Sequence, residues 1–119
     1  MTLDIVTIFP AMVADALKAG VVGRAIDRGA ADVRVHDLRD FTADRHRVVD
    51  DLPYGGGPGM VLKPEPIFRA LDAIRGARGG TVRVVLMSPQ GGRFTQVEAR
   101  RLAACAHVVL VCGRYEGVD

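Results

Sequence analysis

Three short runs of largely apolar residues constrain this chain more than any other feature. Residues 3–8, 82–87 and 108–112 are rich in Val, Ile and Leu, and each meets turn-forming residues at its C-terminal end. Continuous runs of this length belong to strands buried on both faces, the condition of a parallel sheet covered by helices. A fourth run, in which Val33 and Val35 alternate with Arg34 and His36, belongs nearer a sheet edge. No run approaches the roughly 20 apolar residues that a membrane-spanning helix needs. Nor does a basic segment followed by an apolar one open the chain, as in a signal peptide.

Helices fill the intervals. Pro10 stands where a first helical residue would, and Gly20 closes the segment 11–19. A short helix over 21–28 ends at Gly29. Pro64 and Pro66 open a third, with Ile67, Ala70, Leu71 and Ile74 on one face and Gly76 beyond it. Thr95 and Glu98 form a capping box for a fourth, which runs to about Ala104. The order βααβ, a long loop, then αβαβ predicts one α/β domain with a mainly parallel sheet flanked by helices.

A chain of 119 residues, 49% hydrophobic, can bury a core without disulfide or metal staples. Its two cysteines, Cys105 and Cys112, read as reduced thiols of a cytoplasmic protein. Residues 1–60 carry seven basic and nine acidic side chains, residues 61–119 nine and five, for a net charge of +2. That balance is too mild for indiscriminate polyanion binding, so any nucleic-acid partner must be recognised by shape and specific contacts.

Residues 37–63 break the pattern, showing neither helical nor strand periodicity. Loops this long inside a compact domain are usually functional or disordered. Asp44, Arg45, His46, Arg47 and Asp50 crowd one half, and Gly55, Gly56, Gly57 and Gly59 follow. The glycines match neither nucleotide-binding signature. Asp50 and Asp51 point to opposite sides of an extended segment, which makes them a poor acid–base dyad. One carboxylate could accept hydrogen bonds from a ligand such as a guanine edge while the other ties down the loop; a solvated surface pair is equally open. His36, His46 and His107 lack metal-ligand spacing, and Ser88 lacks a nucleophile-elbow context.

The last βαβ unit is the most informative. Its two strands end in polar, glycine-bearing loops at 88–92 and 113–117, and ligands of α/β sheets bind in the crevice beyond the carboxyl ends of strands. Gly113 and Gly117 permit close approach, Tyr115 offers a ring and Glu116 a charge.

Five motifs then recur in order: Arg39-Asp40-Phe41-Thr42; Asp44-Arg45-His46-Arg47; Asp50-Asp51 followed by Pro53-Tyr54-Gly55-Gly56-Gly57-Pro58-Gly59-Met60; Ser88-Pro89-Gln90-Gly91; and Cys112-Gly113-Arg114-Tyr115-Glu116-Gly117. Together they resemble the N-terminal half of the bacterial tRNA (guanine-N1)-methyltransferases, the TrmD family. The resemblance covers essentially the whole chain, from the first strand to Asp119. It implies a SPOUT-type, trefoil-knot fold, cut off before the knot is complete, in a homodimer whose active sites span the interface. The implied reaction moves the methyl of S-adenosylmethionine to N1 of guanosine 37 of tRNA. The implied cofactor residues are Leu86, Met87, Ser88, Pro89, Gly113, Tyr115, Glu116 and Gly117. The implied tRNA-side residues are Asp50, Gly59, Arg45 and Arg47, with Asp50 touching the guanosine before the target.

By the same resemblance, residues 1–119 form an incomplete cofactor-binding domain. The family's general base, an Asp that accepts the N1 proton, corresponds to a position beyond Asp119. So do an Arg that polarises guanine and a C-terminal domain that grips the tRNA. No catalytic residue is therefore expected within the chain, and the chain alone is expected to be inactive. The alternatives are a non-catalytic dimerising or RNA-binding module derived from that enzyme and, more remotely, an unrelated nucleotide-binding domain.

Overall fold

A computed structural model describes residues 1–42, 49–51, 61–87 and 92–112. Strand β1 (Thr2–Thr7) leads through helices α1 (Pro10–Ala16) and α2 (Gly20–Asp27) to β2 (Asp32–Asp37). A 3₁₀ turn (Leu38–Phe41) and two short strands, β3 (Asp50–Asp51) and β4 (Val61–Leu62), precede α3 (Pro64–Arg78). Strand β5 (Arg83–Met87), helix α4 (Gln96–Ala103) and β6 (His107–Cys112) complete the order. The main sheet is parallel throughout, in the order β2-β1-β6-β5, while β3 and β4 pair antiparallel.

Both faces of this sheet are covered, as the apolar runs predict. Val6, Val109 and Val111 share a buried cluster with Ile67, Ala70 and Ile74 of α3. On the other face, Val33 and Val35 line a small cavity with Ala14 and Leu17 from the α1 side and Gly23 and Ile26 of α2. The alternating strand β2 lies at an edge, as expected. Strand β5 does not follow its pattern. Among the described residues it pairs only with β6, and Leu86 and Met87 are 47% and 50% exposed rather than buried on both faces. An apolar strand composition reports the burial a strand is suited to, whereas its place in the sheet decides the burial it gets.

The helices depart from expectation at two glycines. Gly20 opens α2 instead of merely closing α1, because its positive φ of 66° turns the chain sharply between two short helices. Gly76 lies within α3, and Gly79 at φ 70° ends it. The N-cap half of the capping box forms, with Thr95 Oγ1 accepting from the Glu98 amide at 3.4 Å, while Glu98 Oε1 accepts from Arg101 Nη1 at 3.0 Å. Residues 37–63 are not uniformly irregular. Their described ends carry the 3₁₀ turn and the β3–β4 pair, and Leu38 and Val49 are buried members of the main core.

One carboxylate sits inside the first apolar run. Asp4 is opposite Arg34 on β2 and Val109 on β6, so His36 and His107 lie diagonally beside it on the same face. Asp4 is 1% exposed; His36 Nε2 donates to its Oδ1 at 2.7 Å and His107 Nε2 to its Oδ2 at 2.6 Å. With Asp4 ionised, its carboxylate accepts both bonds, which places a hydrogen on Nε2 of each ring. This arrangement stitches three strands together with charge-assisted bonds. Asp4→Ala strands the two ring donors, at about 1–3 kcal/mol for each buried one. Urea unfolding should therefore show a loss of about 3 kcal/mol for Asp4→Ala and a smaller one for Asp4→Asn, which keeps one acceptor. An alanine variant as stable as the parent would refute the clamp.

Candidate functional site at the carboxyl ends of the strands

The parallel register between β5 and β6 aligns Leu86 with Val111 and Met87 with Cys112. Their carboxyl ends therefore stand side by side, about 4.8 Å apart, the spacing of hydrogen-bonded strands. The chain leaves both strands at the same level, so segments 88–92 and 113–117 depart from adjacent points. Of the residues expected at the cofactor site, Leu86 and Met87 are described, and both present partly exposed apolar side chains there. Ser88, Pro89, Gly113, Tyr115, Glu116 and Gly117 lie outside the described residues. So does Asp119, the position beyond which the family's general base is expected.

A cavity of about 550 Å³ opens along β5, within the usual range of small-ligand sites. Val84, Leu86 and Met87 line it from the strand, Phe94 from the connection, and Glu98 and Leu102 from α4. Arg83 and Arg93 line it as well, so the apolar wall carries charge of both signs, with Glu98 already paired to Arg101 at 3.0 Å. No group of His, Cys, Asp or Glu among the described residues could hold a metal ion.

On the tRNA side of the expectation, Asp50 begins β3, with its backbone opposite Leu62. Arg45, Arg47 and Gly59 lie outside the described residues. The base of this loop is well anchored. The Lys63 amide donates to the Val49 carbonyl at 2.7 Å, and Val49 belongs to the buried cluster that contains Ile8 and Leu38. Sequence reasoning missed these anchors, as it missed Asp4 and His107. The available signal was a lone carboxylate in a run otherwise suited to full burial, because such a group requires a partner.

With this geometry in view, similarity to known proteins is decisive. A family model described as "tRNA (Guanine-1)-methyltransferase TrmD" matches residues 1–119. The chain belongs to the TrmD family. It is 57% identical over 119 residues to a tRNA (guanine-N(1)-)-methyltransferase of Methylococcus capsulatus, covering 100% of this chain and 47% of that protein. A protein of the same name from Desulforudis audaxviator is 54% identical over 121 residues, with 48% of its length covered. The crystal structure of tRNA (m1G37) methyltransferase from Aquifex aeolicus superposes with a TM-score of 0.91 at 39% identity, over 100% of this chain and 53% of that one. The chain spans about half the length of the curated relatives it matches. Its four-stranded parallel sheet is thus the family's SPOUT sheet.

Cys112 sits at the tip of β6, where burial pushes its thiol pKa up by withdrawing the thiolate from water. Only the thiolate attacks an electrophile. In the folded protein Cys112 should therefore react with iodoacetamide more slowly at pH 8 than a free cysteine, with its rate profile displaced to higher pH. The folded state also keeps this proton where the unfolded chain has released it, so this contribution to stability declines above about pH 8.5. Mass spectrometry of the Cys112 peptide reads the rate, and equal reactivity with free cysteine would contradict the assignment.

Proposed function

We propose that the protein carrying this sequence transfers the methyl group of S-adenosylmethionine to N1 of guanosine 37 of tRNA, acting in the cytoplasm as a homodimer with a trefoil-knot cofactor site. The family match across residues 1–119 carries this reading. The aligned ends of β5 and β6 support it, since they place half-exposed Leu86 and Met87 where an adenosyl group could pack. Among the described residues no helix is long and apolar enough to cross a membrane. In this reading residues 1–119 form an incomplete, N-terminal part of the cofactor-binding domain.

S-adenosylmethionine supplies an already activated sulfonium methyl. The protein's task is alignment of two reactants and removal of a proton, because guanine N1 becomes nucleophilic only as its proton leaves. Leu86 and Met87, with Ser88, Pro89, Gly113, Tyr115, Glu116 and Gly117, hold the donor. Asp50, Arg45, Arg47 and Gly59 meet the tRNA. The family's proton acceptor corresponds to a position beyond Asp119, so these residues position the donor and the RNA rather than deprotonate the base.

Incubating the protein with a methyl-labelled donor should place 1-methylguanosine in a transcript with guanosine at position 37 and none in its adenosine-37 counterpart. Equal labelling of the two transcripts would overturn the reading. Retained tRNA binding without any methylation would instead favour a non-catalytic RNA-binding module. Asp50→Ala should lower kcat/KM for tRNA by roughly tenfold or more, the cost of one hydrogen bond to an ionised group. The donor's Kd, read by calorimetry, should hardly change; a larger loss of donor affinity than of tRNA use would move Asp50 to the cofactor side.

A further inference from the structure

Arg39 reaches across 31 positions of sequence. Its Nη1 donates to the Ile8 carbonyl at 2.7 Å, just beyond the last residue of β1. Three further interactions lock the turn that carries it. The Arg39 amide donates to Asp37 Oδ1 at 2.9 Å, and Thr42 Oγ1 donates to the Arg39 carbonyl at 2.9 Å. Phe41 packs edge-on against His36, at 6.4 Å between ring centroids. His36 is itself held by Asp4. The turn is thus bolted to the carboxyl ends of β1 and β2.

The buried core extends this fixation to the other end of the loop. Leu38, 0% exposed, shares its cluster with Ile8 and Val49, and Val49 immediately precedes Asp50. Moving the turn on β1 would therefore disturb the cluster in which Val49 is buried, and with it the backbone that leads into Asp50. By contrast β5 and β6 align through their own ladder, on the far side of β1 from β2.

From this chain of contacts we infer that Arg39 is a positioning residue for tRNA: it sets the place of Asp50 relative to the strand tips without touching either substrate. The inference rests on the proposed methyl transfer to tRNA. A guanidinium on a strand-end carbonyl is a charge-assisted bond, and small misplacements far from the reacting atoms cost up to about a hundredfold in rate.

The test compares native protein with Arg39→Ala and Arg39→Lys on the guanosine-37 transcript. Arg39→Ala should lower kcat/KM for tRNA by roughly 10- to 100-fold, with donor Kd within about twofold of native by calorimetry. Arg39→Lys keeps one charged donor for the Ile8 carbonyl, so it should recover most of the loss, which a side chain that merely repels or fills space would not explain. An unchanged kcat/KM for Arg39→Ala, parallel losses of donor affinity and tRNA use, or a lysine variant as impaired as alanine each overturns the inference. Native protein that leaves the transcript unmethylated overturns the functional reading itself, and this inference with it.

Discussion

The in-register parallel ladder that joins β1 to β2 on one side and β6 on the other is the constraint on which the rest depends. Because Thr2 to Val6 pair in step with both neighbours, the carboxyl ends of the strands finish at related heights. β5 extends the same register to the fourth strand. Parallel pairing requires every connection to cross a face, so helices cover both sides of the sheet. A slip of one residue would reverse the facing of every side chain on the displaced strand. It would also separate Asp4 from its two histidines. The buried Asp4 clamp acts as a register lock: its partners meet it in only one alignment of three strands.

Two different physical devices then build the two sides of the proposed site. At the β5–β6 tips, position comes from backbone pairing, and the side chains of Leu86 and Met87 left there are apolar and half exposed. Around the loop that returns through Asp50, position comes from side-chain anchoring: Arg39 on the Ile8 carbonyl, with Leu38 and Val49 in the core. Backbone pairing makes a rigid platform for a small ligand. The separation lets one side be perturbed while the other is measured.

Much of the fold was legible because local physics agrees with it. Pro10, Pro64 and Pro66 start helices where a missing amide costs nothing, and Thr95 with Glu98 caps α4. The alternation of Val33 and Val35 with Arg34 and His36 correctly marked an edge strand. The exposed β5, by contrast, was not legible, since a Val- and Leu-rich run reads the same at the centre or the rim of a sheet. Leu38 and Val49 were hidden in a segment without periodicity, because a single buried residue on either side of a loop leaves no repeat to detect.

By itself the sequence determined the α/β class, the parallel sheet and the family, through motifs whose residue types and order are too specific to arise by chance. Tertiary structure alone decided that Asp4, His36 and His107 meet, that Arg39 holds the end of β1, and that the tips of β5 and β6 stand level. The hydrogen bonds among these join residues 31 to 103 positions apart. Local propensity carries no information over such separations. Only strand order and register bring these residues within the 2.6–2.7 Å at which the bonds form.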